Sequence, residues 1–211
     1  MNFTDPSIER YCLDHTTAED SLYRELHEET YATMEIPQML AGRMVGATLQ
    51  LLIRLARAQR VVEVGTFTGY SSLKMAQALP DDGVLFTLEV EPKHAAVAER
   101  AFERAPWGSK ITLLQGPALQ SLEQIDGPID LSFIDADKEN YVNYYHHLLQ
   151  KTRPGGVIVL DNALWSGSVL KPVEESSKAL AQMNALVHAD ERVDNLLLPV
   201  RDGLMIAQKK G

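Results

Sequence analysis

The sequence predicts an α/β fold: a mostly parallel sheet of about seven strands, covered by helices on both faces and ending in an antiparallel hairpin. Short continuous apolar runs alternate along the chain with segments of helical periodicity, which is typical of parallel strands buried on both faces. The run Val61–Val64 leads through a glycine-containing turn into a helix. Near the end, Val193–Val200 and Leu204–Ala207 are joined by only three residues, so these two strands must be antiparallel.

The other elements are predicted in chain order as follows. The first sixty residues are helical, with Thr17 capping one helix and an apolar stripe marking another from Gln38 to Arg57. A helical part at 1–57 and a parallel-sheet core at 61–209 then form one domain of 1–211. Further strands are expected at Val84–Leu88, Ile111–Leu114, Ile129–Ile134 and Val157–Leu160, the last after a turn at Pro154-Gly155-Gly156. Further helices are expected at Leu73–Leu79, Pro92–Ala105, Glu139–Lys151 and Glu174–His188.

The composition narrows the class of protein. With 20 Lys and Arg against 29 Asp and Glu, the formal net charge is −9, which disfavours nucleic acid as the main partner. Cys12 is the only cysteine, so internal disulfides and thiolate metal clusters are excluded. The stretch Met1–Arg10 lacks the layout of a signal peptide, and no apolar stretch approaches the roughly 20 residues of a membrane helix. A cytoplasmic protein with no membrane partner is expected.

The glycine turn that follows the first strand, from Glu63 to Ser71, is the predicted ligand site. At the carboxyl end of a parallel strand, such a turn aims backbone N–H groups and a helix N-terminus at the crevice. Dinucleotide sites need a second glycine where Phe67 stands, so a pyrophosphate would be crowded. Glu63 would repel a phosphate and attract a cationic ligand, such as a sulfonium. The alternative is an ordinary βα turn with a surface glutamate.

Two acidic residues compete for a second contact with the ligand. Glu89 ends the second strand about 20 residues beyond the glycine turn, where folds of this kind bind a ribose diol. Glu91 is close enough along the chain to be the residue in register instead. After the third strand, the backbone of Gly116-Pro117-Ala118 would lie at the edge of an adenine, although a plain turn explains these residues equally well.

Oxygen-bearing side chains follow the fourth and fifth strands. Because these strands lie beside the first in a doubly wound sheet, Asp135, Asp161 and Asn162 are expected to converge next to the glycine turn. Two carboxylates and an amide oxygen suit Mg²⁺, or Mn²⁺ or Ca²⁺. Lys138 follows Asp135 by one helical turn and is the candidate general base. The alternatives are that Asp137 caps a helix, that Asp161-Asn162 forms an Asx turn and that Lys138 is solvated.

Four blocks of the sequence resemble the signature blocks of the metal-dependent caffeoyl-CoA and catechol O-methyltransferases. The blocks are Val62–Ser71, Gly116–Ala118, Phe133–Tyr141 and Asp161–Ser168, and the resemblance covers roughly residues 35 to 209. It implies a Rossmann-like class I methyltransferase fold that uses S-adenosylmethionine (SAM) and a divalent cation. By this resemblance the residues expected to contact SAM are Met39, Ala41, Glu63, Gly65, Thr66, Ser71, Glu89, Ala118, Asp135 and Asp137.

The resemblance also implies the remaining roles. The candidates are Asp135, Asp161 and Asn162 for the metal, Lys138 and Asp135 for catalysis, and Lys138, Trp165, Ser166 and Arg201 for the substrate. Arg201 either meets an anionic acceptor or is a solvated turn arginine. Glu89 and Ser166 differ from the residues usual in the plant enzymes, so caffeoyl-CoA is not carried over as the substrate. Homodimers are common in the plant-type branch, and a homodimer is expected here.

The predicted function is metal-assisted methyl transfer from SAM to one hydroxyl of a catechol-like small molecule, such as a phenylpropanoid or flavonoid, with Lys138 taking a proton. The first rival is a tRNA hydroxyuridine O-methyltransferase, which is favoured by a basic patch and disfavoured by the net charge. That patch consists of Arg43, Arg54, Arg57 and Arg60. An NAD-dependent oxidoreductase is disfavoured by Phe67. A SAM-binding module without chemistry is disfavoured by the retained acidic residues and lysine.

Overall fold

The computed structural model describes residues 4–211; Met1–Phe3, which begin the stretch predicted not to be a signal peptide, lie outside the described residues. Its strands are β1 (Arg60–Val64), β2 (Val84–Glu89), β3 (Ile111–Gln115), β4 (Ile129–Ile134), β5 (Thr152–Leu160), β6 (Val193–Leu198) and β7 (Leu204–Lys209). They form one seven-stranded sheet in the order β3-β2-β1-β4-β5-β7-β6. β1 to β5 are parallel, whereas β7 is antiparallel to both β5 and β6. The predicted mixed sheet with its C-terminal hairpin is confirmed.

Helices cover both faces of this sheet. They are α1 (Pro6–Asp14), α2 (Ser21–Thr33), α3 (Arg43–Ala56), α4 (Tyr70–Ala78), α5 (Pro92–Arg104), α6 (Ala118–Glu123), α7 (Tyr141–Lys151) and α8 (Glu175–Ala189). Because successive side chains of a strand point to opposite faces, Val62 packs with α6, α7 and α8, while its neighbour Val61 packs with α3 and α4. The two apolar layers hold the strands in place and leave their carboxyl ends to form the site.

The N-terminal helices begin and end differently from the prediction. α2 is capped by Asp20, whose carboxylate accepts from Leu22 N at 3.0 Å, so the predicted Thr17 cap is wrong. The predicted helix from Gln38 to Arg57 is broken into a 3₁₀ turn at Pro37–Met39 and helix α3. The break lies at Gly42, which has φ +81°, a conformation that favours glycine and cannot continue a helix.

Three further differences concern short elements. β5 begins at Thr152 instead of Val157, and Pro154-Gly155-Gly156 lie in a register shift opposite β4 instead of forming a turn. Glycines tolerate such a bulge because they have no side chain to pack. Helix α6 and a 3₁₀ segment at Trp165–Leu170 were not predicted. Both follow strand ends and lie beside the site.

One segment, Pro37–Ala56, is apolar enough by length and composition to cross a membrane, contrary to the prediction that no such stretch exists. In this fold the segment is interrupted at Gly42, and Val45, Leu49 and Ile53 are buried in the core. Its apolar stripe is therefore explained by packing against the sheet.

Candidate active site

The carboxyl ends of the central strands open into a cavity of about 1030 Å³. The strand order reverses between β1 and β4, which is the usual place for a ligand in an open α/β sheet. Every predicted site residue except Glu63 lines this cavity: Met39, Ala41, Gly65, Thr66, Ser71, Glu89, Ala118, Asp135, Asp137, Lys138, Asp161, Asn162, Trp165, Ser166 and Arg201. The fold thus brings together residues from segments that are far apart in the sequence.

The glycine turn between β1 and α4 packs against the end of β4. Gly65 has φ +99°, and a Cβ added there would lie 2.1 Å from a backbone oxygen, so a larger residue does not fit. The N–H groups of Gly65 and Thr66 donate to Leu88 O at 3.0 and 3.1 Å, and that of Phe67 donates to Glu89 at 2.7 Å. The expectation that the turn aims its N–H groups at the ligand is therefore wrong for these three groups. These three groups are therefore not available to donate to a pyrophosphate, which needs such donors.

Glu63 lies behind the glycine turn, is fully buried and is not among the residues that line the cavity, so its predicted contact with SAM stays a prediction. One of its carboxyl oxygens accepts hydrogen bonds from Ser72 Oγ and, at 2.6 Å, from Thr87 Oγ1. Burial raises the pKa of Glu63 to about 7, against the opposing effect of the neighbouring hydroxyls. Glu63 thus joins α4 to β2 beneath the site.

Glu89 and Glu91 both line the cavity but have different partners. The carboxylate of Glu89 accepts from three backbone N–H groups, those of Phe67, Val90 and Glu91, at 2.7, 3.1 and 2.9 Å. His94 Nδ1 lies 3.6 Å from the same carboxylate. The side chain of Glu91 instead caps α5 through Lys93 N at 3.3 Å. Because Glu89 is held in one orientation and retains acceptor capacity, its geometry fits a ribose ligand better than that of Glu91.

Asp135 and Asp161 follow β4 and β5 at neighbouring positions. The N–H of Asp135 donates to Val64 O at 2.9 Å and that of Asp161 to Ile134 O at 3.0 Å, which fixes the three strand ends side by side. Asp161 is only 2% exposed. Burial and the negative charge of Asp135 raise the pKa of Asp161 to about 7. A cation between the two carboxyl groups would relieve this repulsion.

Asn162 completes the predicted set of oxygen ligands. Its φ of +57° is a strained, left-handed conformation, and its N–H donates to Asp161 Oδ1 at 2.7 Å. The amide nitrogen lies 3.5 Å from Asp202, while no described residue donates a hydrogen bond to the amide oxygen. Within residues 4–211, no group of three His, Cys, Asp or Glu side chains is arranged to hold a metal. A cation here would therefore depend on two carboxylates together with the Asn162 amide oxygen, a donor set that suits Mg²⁺.

Lys138 points into the site, as predicted, and is mostly buried. Its Nζ lies 3.0 Å from Asp135 Oδ1 and 2.7 Å from Tyr141 Oη, and the ring of Trp165 is centred 5.6 Å away. Burial and the charge of Asp135 raise the pKa of Tyr141 well above its usual range, so this hydroxyl stays protonated. Tyr141, three residues after Lys138 on the same helical face, was missed, although that spacing was visible in the sequence.

Asp137 lies at the cavity rim and is exposed. Its carboxylate accepts from Tyr144 Oη at 2.6 Å and from Asn140 Nδ2 at 2.5 Å, but from no backbone N–H at the start of the following helix. The alternative that Asp137 merely caps a helix is therefore wrong. Both partners orient the carboxylate in the wall of the cavity.

The hairpin turn between β6 and β7 contacts two walls of the cavity. The guanidinium of Arg201 donates to the backbone oxygens of Gln38, Leu40 and Ala41. Arg201 is thus an exposed turn residue whose guanidinium is engaged by backbone oxygens, and its contact with an anionic acceptor stays a prediction. Asp202, which sequence reasoning missed, accepts from Ser166 N at 2.5 Å. Nothing in the sequence pairs this turn with residues so distant along the chain.

Backbone strain is concentrated at the site. Within residues 4–211, five of the six non-glycine residues with positive φ line the cavity, and only Arg57 lies elsewhere. The five are Phe67, Asn162, Trp165, Ser166 and Arg201. Such conformations persist where surrounding contacts enforce them, and they cluster at functional sites.

The fold and the cavity define a class of protein: a doubly wound α/β protein with a ligand site at its switch point. The family model described as O-methyltransferase matches residues 13–210. The chain therefore belongs to the O-methyltransferase family, and the protein is an enzyme that transfers methyl groups to oxygen.

Individual relatives agree with this assignment. Caffeoyl-CoA O-methyltransferase 2 of Zea mays is 36% identical over 178 residues, which are 78% of this chain and 67% of the relative. Catechol O-methyltransferase of Niastella koreensis is 36% identical over 212 residues, covering 95% of this chain and 96% of the relative. The crystal structure of the O-methyltransferase from Bacillus cereus in complex with SAH is 31% identical, with a TM-score of 0.89 and 97% of each chain covered. The predicted family and Rossmann-like fold are confirmed.

Proposed function

We propose that the protein transfers the methyl group of SAM to one hydroxyl of a catechol-like vicinal diol, with a divalent cation held by Asp135, Asp161 and Asn162. The observation that carries the proposal is the convergence of these three oxygen ligands and Lys138 at the cavity, beside the glycine turn. When bound, a cation at this position would chelate the diol and lower the pKa of the reacting hydroxyl. Mg²⁺ fits this donor set best, before Mn²⁺ and Ca²⁺.

SAM as the methyl donor is supported by the B. cereus structure, which contains SAH, the product that remains after SAM loses its methyl group. The chain's own geometry agrees. The N–H groups of Gly65, Thr66 and Phe67 are engaged by the protein, so the turn withholds them from a phosphate. Glu89 is oriented for a ribose diol, and Ala118 lies in the cavity wall expected beside an adenine. The same features disfavour NAD and with it the oxidoreductase alternative.

Lys138 is the proposed base. Its Nζ is close to Asp135 and is fixed by Tyr141, so it is positioned to take the proton of the reacting hydroxyl. Much of the rate acceleration would come from holding donor and acceptor in line. Trp165 provides an aromatic wall beside Lys138, against which a catechol ring would pack.

The acceptor is proposed to be a free catechol instead of a coenzyme A thioester. Apart from His94, the basic side chains that line the cavity are Lys138 and Arg201. Lys138 is paired with Asp135, and Arg201 is bound to backbone oxygens. Among the described residues of the wall, both of these side chains therefore already have partners within the protein, which disfavours them as ligands for the phosphates of coenzyme A. An assay comparing catechol with caffeoyl-CoA at equal concentration tests this point, and a preference for caffeoyl-CoA would contradict it.

The tRNA alternative receives little support from the surface. Arg43 donates to the backbone oxygens of Thr16 and Thr17, and Arg60 stacks on Phe86 at 5.1 Å. Two of the four arginines of the predicted basic patch are thus engaged within the protein. The net charge of −9 weighs in the same direction.

The proposed function is tested with purified protein, methyl-labelled SAM, catechol and Mg²⁺. Label should enter the catechol, and both EDTA and Asp161→Asn should stop the transfer while SAM binding, measured by calorimetry, persists. Asp126→Asn is the matched control, because Asp126 is exposed and does not line the cavity. Transfer that survives EDTA and Asp161→Asn would remove the cation from the proposal.

We further propose that residues 1–211 act as one domain, that the protein is cytoplasmic and that it forms a homodimer. The lone Cys12 suits a reducing compartment, and the dimer is proposed from the resemblance to the plant-type enzymes. Sedimentation velocity tests the dimer directly. A single species at the mass of one chain, 23.5 kDa, would contradict it.

A further inference from the structure

The segment 36–42 borders the cavity with little support of its own. Its only regular structure is the 3₁₀ turn Pro37–Met39, and it connects α2 to α3. Leu40 and Ala41 are each 5% exposed and line the cavity. Within residues 4–211, the backbone oxygens of Gln38, Leu40 and Ala41 accept no backbone hydrogen bond. The segment therefore depends on other contacts to stay against the cavity.

Leu40 and Ala41 pack into the apolar core, and the hydrogen bonds to the segment's backbone oxygens come from Arg201, in the hairpin turn between β6 and β7. Nη1 donates to Leu40 O at 2.5 Å and also to Ala41 O, while Nη2 donates to Gln38 O at 3.2 Å. A Cβ added at Gly42 would come 3.0 Å from Nη1, so the glycine leaves room for the guanidinium. Arg201 itself has φ +52°, a conformation that costs free energy and indicates that surrounding contacts enforce it.

The same turn holds the opposite wall of the cavity. The backbone oxygens of Asp202 and Gly203 accept from Leu164 N at 2.9 Å and from Ala163 N at 3.0 Å. The carboxylate of Asp202 also accepts from Ser166 N. The hairpin turn is therefore a fixed point to which Arg201 attaches the segment 36–42 by hydrogen bonds, beside the apolar packing of Ala41 near Leu204.

We propose that Arg201 is a positioning residue that fastens the segment 36–42 across the cavity and thereby sets the affinity for SAM. The inference rests on the proposed function, because the ligand enclosed by the segment is taken to be SAM. Loss of the guanidinium frees three backbone oxygens at the cavity mouth, where water can solvate them. The segment would then open more often, while the apolar core, which Arg201 does not touch, is unchanged.

Besides fastening the segment 36–42, Arg201 also acts on Asp161 through its charge. Its positive charge is close enough to Asp161 to stabilise the ionised carboxylate. Arg201→Lys keeps the charge but has only one donor nitrogen, which cannot reproduce the hydrogen bonds that Nη1 and Nη2 make to the segment 36–42. Arg201→Ala removes both. The two variants distinguish fastening of the segment from a change in charge.

Arg57→Ala is the matched control. Arg57 is exposed, has φ +50° and does not line the cavity, and its side chain makes no hydrogen bond or ion pair with any residue of 4–211. Replacing it removes an arginine from the same backbone conformation without touching the segment 36–42.

The first measurement is hydrogen exchange of the ligand-free proteins. Amides of 36–42 should exchange about tenfold faster in Arg201→Ala than in the wild type or in Arg57→Ala. The Tm of Arg201→Ala should stay within about 3 °C of the control. Unchanged exchange in 36–42 would overturn the proposal whether or not SAM binds.

The second measurement is binding and turnover. The Kd and KM for SAM should rise about tenfold in Arg201→Ala, the loss expected for one net charge-assisted hydrogen bond, while kcat falls less than kcat/KM. Arg201→Lys should remain at least threefold weaker than the wild type; full recovery in Arg201→Lys would assign the effect to charge and overturn the proposal. Failure of the wild type to bind SAM would instead refute the proposed function and leave the exchange result interpretable.

Discussion

The pH dependence of stability should contain a large contribution from Glu63. Burial raises the pKa of this carboxyl from 4.5 to about 7, which corresponds to about 3 kcal/mol. Because the pKa is raised in the folded state, this stability is fully present below the unfolded value of 4.5 and is lost as the pH rises through 7. The free energy of unfolding of the wild type should therefore fall by up to about 3 kcal/mol between pH 4.5 and 8 through Glu63 alone.

Glu63→Gln removes the ionisation of this carboxyl and should make the pH dependence shallower, leaving the part that comes from Asp161, whose pKa is also raised to about 7. Within residues 4–211, Glu63 Oε1 has no hydrogen-bond partner, so the amide nitrogen of the variant leaves an unpaired donor that costs about 1–3 kcal/mol at every pH. The diagnostic quantity is therefore the slope with pH and not the stability at one pH. Urea unfolding in EDTA at several pH values, with the exposed Glu123→Gln as control, measures it. A wild-type slope in Glu63→Gln would refute the reasoning.

Three further substitutions test separate parts of the site. Gly65→Ala should abolish SAM binding or folding, because the new methyl group would lie 2.1 Å from a backbone oxygen; Gly116→Ala, which also has positive φ but nothing within 4 Å, should cost only about 1–2 kcal/mol in urea unfolding. Asp202→Ala should raise the KM for catechol about tenfold by releasing Ser166 N, with the Kd for SAM unchanged in calorimetry. An unchanged KM would show that the segment around Ser166 keeps its position without the Asp202 carboxylate. Lys138→Met should lower kcat by about 10²–10⁴ without weakening SAM binding, and a wild-type kcat would exclude it as the base.

The sheet could be predicted because its signals are local and repeated. Continuous apolar strands such as Val157–Leu160 alternate with helices, and the short turn after β6 forces an antiparallel hairpin. The breaks were harder to foresee. Beside the interruption of the predicted helix at Gly42, the oxygen of Ala41 is bonded to Arg201, which lies 160 residues further along the chain. No periodicity in the sequence reports such a contact.

The site was predictable in its membership and less so in its contacts. Asp135, Asp161 and Asn162 converge because parallel strands end at one edge, a consequence of topology alone. Glu63 was placed in the cavity because its position along β1 is visible in the sequence, whereas the direction of its side chain relative to the turn is not. In the structure this side chain is buried under α4 and hydrogen-bonded to Ser72, so it supports the turn from behind.

The most direct test of the account is a crystal structure of the protein with SAM and Mn²⁺, measured at the manganese absorption edge. We expect an anomalous peak in direct contact with oxygens of Asp135, Asp161 and Asn162, with the SAM methyl group facing the same part of the cavity. SAM bound in the cavity with no peak between these three side chains would contradict it.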